Sequence, residues 1–80
     1  MEVTVCVFAG LKNYFDNEFK LELESNYSII QLMEKLHTMN PLSKSTLSIC
    51  RFAVNDSFVS SDYILKNEER LCIIPPSSGG

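Results

Sequence analysis

Eighty residues carrying a net charge of −3 make one small domain, whose folding removes only about 60% of the extended chain's surface from water. With 45% hydrophobic and 21% charged residues the chain has the make-up of a globular protein, which excludes general disorder. The seven Lys and Arg form no patch, which argues against nucleic acid as a partner, and no apolar run is long enough to span a bilayer.

Three cysteines, Cys6, Cys50 and Cys72, sit inside apolar stretches. None shows CxxC spacing, and an odd count does not make a disulfide framework. They read as buried or half-buried free thiols of a reducing compartment. The start carries Glu2 and no basic leader region, so the expected location is cytoplasmic.

Val3 to Ala9 opens the chain as a strand, with Val3, Val5, Val7 and Ala9 on one face and Thr4, Cys6 and Phe8 on the other. Gly10 ends the run, and residues 10–17 read as a loop. Phe19 to Glu24 alternates strictly, which gives a second strand with one wet face, paired antiparallel with the first. Ser28 and Gln31 have the spacing of a capping box, with Tyr27 and Leu32 as a hydrophobic staple. Ile29, Leu32, Met33 and Leu36 then form the buried face of a helix that Asn40 and Pro41 stop.

After the polar stretch Ser43 to Thr46, residues 47–54 read as a third strand. Asn55 to Ser57 is a turn, and Phe58-Val59 a short returning strand. Ser61-Asp62 reads as the cap of a single helical turn bearing Ile64 and Leu65, and Asn67 to Glu69 as another turn. Leu71 to Ile74 is the last strand and runs directly into Pro75-Pro76. The order strand, strand, helix, strand, short strand, strand predicts an α+β domain in which a mixed sheet grips one helix. The last strand lies parallel beside the first through a right-handed crossover. That is the β-grasp, or ubiquitin-like, architecture, over residues 1–75, with residues 76–80 as a flexible tail.

Catalytic chemistry has little to draw on. His37 is the one histidine, at the end of the helix, where a solvated role is the default. There is no nucleophile elbow, no phosphate-binding glycine loop and no set of metal ligands, so no bound cofactor and no self-contained active site are expected. The sequence ends Pro75-Pro76-Ser77-Ser78-Gly79-Gly80. A Gly-Gly end has no Cβ and can thread a narrow tunnel, while Pro-Pro favours an extended segment that projects it from the domain. A carboxylate is a poor electrophile, but its acyl-adenylate has a good leaving group. Sulfide, or a persulfide, can displace AMP from it and leave a thiocarboxylate. The plain alternative is an inert polar tail.

Phe8-Ala9, Lys12, the helix built on Ile29, Leu32 and Leu36, then Ala53-Val54-Asn55, Leu65, and Ile73-Ile74-Pro75-Pro76 followed by Ser77, Ser78 and the terminal Gly-Gly together form a pattern. It resembles the small, sulfur-carrier subunit of molybdopterin synthase over the whole chain. The resemblance implies that Gly80 is adenylated by a ubiquitin-activating-type enzyme using Mg-ATP and takes its sulfur from a donor protein. It also implies that Gly80 then gives the sulfur to cyclic pyranopterin monophosphate within a heterotetramer with the large catalytic subunit. It makes Gly79 the thin approach to Gly80, and Phe8, Phe58, Ile74, Pro75, Pro76, Ser77 and Ser78 the surface facing the partner. For Phe8, Phe58 and Ile74 the alternative is a second small core under the loops.

The chain departs from the family pattern in two places. Glu68-Glu69 stands where Gly-Asp is usual, so the turn before the last strand is expected to differ locally, and Ser77 stands where an apolar residue is common. Competing readings are the sulfur carrier of thiamine thiazole synthesis, a ubiquitin-like protein modifier, and a plain interaction domain.

Overall fold

The computed structural model describes residues 1–76. Its strands are β1 (Glu2–Val7), β2 (Glu18–Glu22), β3 (Arg51–Val54), β4 (Ser57–Val59) and β5 (Arg70–Ile74), and its helices α1 (Ile29–Met39) and α2 (Lys44–Leu47). The strands make a five-stranded sheet in the order β2-β1-β5-β3-β4. β1 and β5 are parallel, with Val5 opposite Leu71 and Val7 opposite Ile73. The other three pairings are antiparallel. The chain therefore has the expected mixed sheet, with its last strand at the centre.

The pleat divides the sheet into two faces. One carries Val3, Val5, Val7, Val54, Leu71 and Ile73, which form a single buried cluster with Ile29, Leu32 and Leu36 of α1. α1 starts as its sequence dictates. The Ser28 hydroxyl accepts from the Gln31 N–H at 3.1 Å, and the Gln31 side chain accepts from the Ser28 N–H at 2.8 Å. At the other end the Asn40 side chain accepts from the Leu42 N–H and so starts a short 3-10 turn, Pro41–Ser43, that leads into α2.

Besides the bounds of β2, which is Glu18–Glu22 rather than Phe19 to Glu24, the structure departs from the sequence reading in four places. β1 stops at Val7, because Ala9 takes a left-handed φ of 52° and begins a 3-10 helix, Ala9–Asn13, inside the expected loop. That turn drops Leu11 fully into the core. The third strand is four residues, not eight, because its first half is replaced by α2 and a turn. In a strand Leu47 and Ile49 would share a face; here Leu47 is buried and Ile49 is 58% exposed. No helical turn follows Ser61-Asp62: Ile64 instead makes an isolated bridge to Ser28, and the Leu65 N–H donates to the Tyr27 carbonyl.

The fourth difference is at Glu68, which takes the left-handed conformation, φ 67°, that glycine would take easily. Bonds across the turn hold it there. The Glu68 N–H donates to the Glu2 carbonyl at 2.7 Å. The Glu69 carboxylate accepts from the Tyr63 hydroxyl and from the Lys66 N–H, each at 2.7 Å. So the glutamate is accommodated in a left-handed turn.

Candidate functional site

The second face of the sheet is not covered by a helix. Register places Glu18 of β2, Cys6 of β1, Cys72 of β5, Ala53 of β3 and Phe58 of β4 in one row across all five strands. One pleat further along, Ile74 of β5 lies opposite Arg51 of β3. Phe8 continues β1 in extended conformation, one residue beyond Val7, which pairs with Ile73. Phe8, Ile74 and Arg51 therefore sit together at the end of the sheet where the chain leaves β5.

Phe8 is 42% exposed and Phe58 60% exposed, while Ile74 and Pro75 are half-buried and Pro76 is exposed. Of these, Phe8, Phe58 and Ile74 lie on the open face, and none of the five is part of the core cluster. A second core under the loops is thus not what Phe8, Phe58 and Ile74 form. Ser77, Ser78, Gly79 and Gly80 lie outside the described residues.

Charge on this face is largely paired. Arg70 donates to Glu18 at 2.8 Å across β1, and Lys20 stands 3.8 Å from Glu2. Hydrogen bonding and the charge of Arg70 hold the Glu18 carboxyl below the usual carboxylate range, and the same bond raises Arg70. The Cys6 thiol donates weakly to Glu18 at 3.7 Å. Burial, opposed by Arg70 and reinforced by Cys72 and Glu18, pushes Cys6 up to about 11. It stays a neutral thiol at ordinary pH, which makes it a poor nucleophile.

Arg51 is the residue that the sequence reading passed over. Its guanidinium carbon lies 4.2 Å from the centre of the Phe58 ring, a cation–π contact across β3 and β4. Only half of the signal lay in the sequence: Arg51 and Ala53 share strand parity, but the pairing of Ala53 with Phe58 is set by the β3–β4 register. A shallow cleft of about 410 Å³ runs beside this pair, between Phe52, Val59 and Ser60.

On the helix side, Met33, Glu34, His37, Lys44, Cys50 and Phe52 border a cleft of about 450 Å³. Its thiol is occupied. Cys50 donates to the Thr46 carbonyl at 3.1 Å, and burial pushes it up to about 11. Among the described residues no cluster of three His, Cys, Asp or Glu is placed to hold a metal ion. No helix of the described residues is long and apolar enough to cross a membrane.

This combination defines a class of protein: a ubiquitin-like β-grasp domain whose last strand emerges at an exposed apolar sheet face. Solved structures agree on the fold. SAMP1 from Haloferax volcanii superposes with a TM-score of 0.84 at 15% identity, over 100% of both chains. A complex of subunits 1 and 2 of molybdopterin-converting factor from Helicobacter pylori contains a chain with a TM-score of 0.71 at 23% identity, again over 100% of both. The chain belongs to the ThiS family, whose model matches residues 5–80. A relative from Dictyostelium discoideum, a molybdopterin synthase sulfur carrier subunit, is 32% identical over 81 residues, covering 95% of this chain and 93% of its own length.

Proposed function

We propose that this protein is the sulfur carrier of a molybdopterin synthase, and that Gly80 is the residue that carries the sulfur. The observation behind this reading is the placement of Phe8, Phe58 and Ile74 around the exit of β5. An apolar patch there gives a partner a grip on the domain at the root of the tail. The Dictyostelium relative supports the choice of pathway.

The chemistry runs through the terminal carboxylate. A ubiquitin-activating-type enzyme binds Mg-ATP, and the Gly80 carboxylate attacks the α-phosphorus with loss of pyrophosphate. Hydrosulfide from a sulfur donor then attacks the acyl carbon, AMP leaves, and a thiocarboxylate remains. Within a heterotetramer with the large catalytic subunit, the thiocarboxylate sulfur bonds to a side-chain carbon of cyclic pyranopterin monophosphate as an oxygen substituent leaves that carbon, which gives a thioester between Gly80 and the pterin; hydrolysis of its acyl–sulfur bond leaves the sulfur on the pterin. Water returns the tail to a carboxylate. Pro75 and Pro76 keep the tail root extended, and Ser77, Ser78 and Gly79 give the large subunit a slim segment to enclose. The scheme assigns the protein to the cytoplasm.

The test is conversion of the pterin precursor by purified large subunit and thiocarboxylated chain. Deleting Gly80 moves the acyl carbon out of reach of both active sites. A misplacement of about one ångström already costs about a hundredfold in rate. Conversion should vanish while the domain stays folded. Full conversion without Gly80 would refute the proposal. Isopeptide adducts to lysines with no conversion would replace it by protein modification.

A further inference from the structure

Among the described residues, two cations of the open face have a carboxylate partner. Arg70 is bound by Glu18 and Lys20 is matched by Glu2. Arg51 makes no ion pair among the described residues, although it is exposed and sits between the two apolar residues Ile74 and Phe58. Its guanidinium is fixed by the Phe58 ring 4.2 Å away. A guanidinium seated over a ring can still offer its planar fork of N–H donors, and less rotamer freedom is lost when those donors are used. A cation held in place, unmatched, inside an apolar docking patch is an arrangement for reading a negative charge on whatever covers the patch.

We propose that Arg51 is the specificity-determining residue of this face, and that the large catalytic subunit meets it with an Asp or Glu side chain seated beside the pocket for Phe58. The inference rests on the molybdopterin synthase reading above. It adds a charge criterion to it: a partner surface with a matching apolar pocket but a Lys or Arg opposite Arg51 is rejected. The chain as a whole carries net charge −3, which by itself does not attract an acidic side chain. The local pairing supplies the preference.

The test is titration of the full-length chain against the purified large subunit of the same host at low and high salt. Wild type, Phe58→Ala, Arg51→Gln, Arg51→Lys and Arg51→Glu are compared, each with its thermal unfolding recorded. Arg51→Gln keeps a polar stem of similar reach and loses the charge. It should weaken binding about tenfold, with a shallower salt dependence, and Arg51→Glu should weaken it further. Arg51→Lys keeps the charge without the planar fork and should fall between wild type and Arg51→Gln. Arg51 variants that bind like wild type while Phe58→Ala binds worse would overturn this proposal and leave the docking reading standing. Weaker binding with an unchanged salt dependence would make Arg51 a packing support for Phe58, and also overturn it. Failure of wild type to bind the large subunit at all would remove both.

Discussion

Glu68 occupies a backbone conformation that costs an L-residue about 1–2 kcal/mol, and three bonds to Glu2, Tyr63 and Lys66 hold the turn around it. Its side chain is exposed and enters no ion pair among the described residues. Glu68→Gly should therefore remove the local strain at no contact cost. The gain is offset in part by the extra freedom of glycine in the unfolded chain. The net effect should be stabilising by up to about 1 kcal/mol, read as a higher urea midpoint with an unchanged slope. A lower midpoint would mean that the Glu68 side chain supports the turn. Neighbouring left-handed residues need no such relief. Asn55 and Asp56, at φ 51° and 66°, are residue types suited to the two-residue turn that joins β3 to β4.

The elements that the sequence announced are those whose signal is local. Ser28 and Gln31 fix the start of α1 through two bonds made within four residues. Ser28→Ala removes one of them and should cost about 1 kcal/mol, visible as a lower thermal midpoint with the helix otherwise retained. No change in midpoint would show that tertiary packing alone sets the helix start. Strand alternation was legible for the same reason: Val3, Val5 and Val7 against Cys6 and Phe8 need no distant residue to interpret. α2 was not legible. Ser45 and Thr46 favour no helix, and the run from Leu47 to Val54 has the composition of a strand. The core decides instead, because Leu47 reaches it only if residues 44–47 coil after the Asn40–Pro41 turn. The 3-10 turn at Ala9–Asn13 has the same origin in the burial of Leu11. Of the candidate site, alternation placed Phe8 and Ile74 on the open face. Arg51 needed the β3–β4 register to bring it over Phe58.

At the scale of the whole molecule, one sheet separates two tasks by face. Leu71 and Ile73 of β5 point into the core, fully buried, while Ile74 of the same strand belongs to the face that bears Phe8 and Phe58. Stability and docking are thus carried by alternate residues of one strand and its neighbours, and mutation should separate them. Leu71→Ala empties a packed position beside Val5 and Val54, and should cost about 2–5 kcal/mol of stability. Its affinity for the large subunit, per folded molecule, should be near that of wild type. Phe58→Ala removes an exposed ring at the sheet edge. It should leave the unfolding midpoint within a degree or two, yet weaken binding to the large subunit by about 1–3 kcal/mol, because aromatic residues in such patches carry most of the binding energy. Paired urea melts and titrations on the two variants measure both quantities. If Phe58→Ala unfolds the domain while the affinity of the folded fraction is unaltered, Phe58 serves the fold, and the open face loses its claim to be the docking surface.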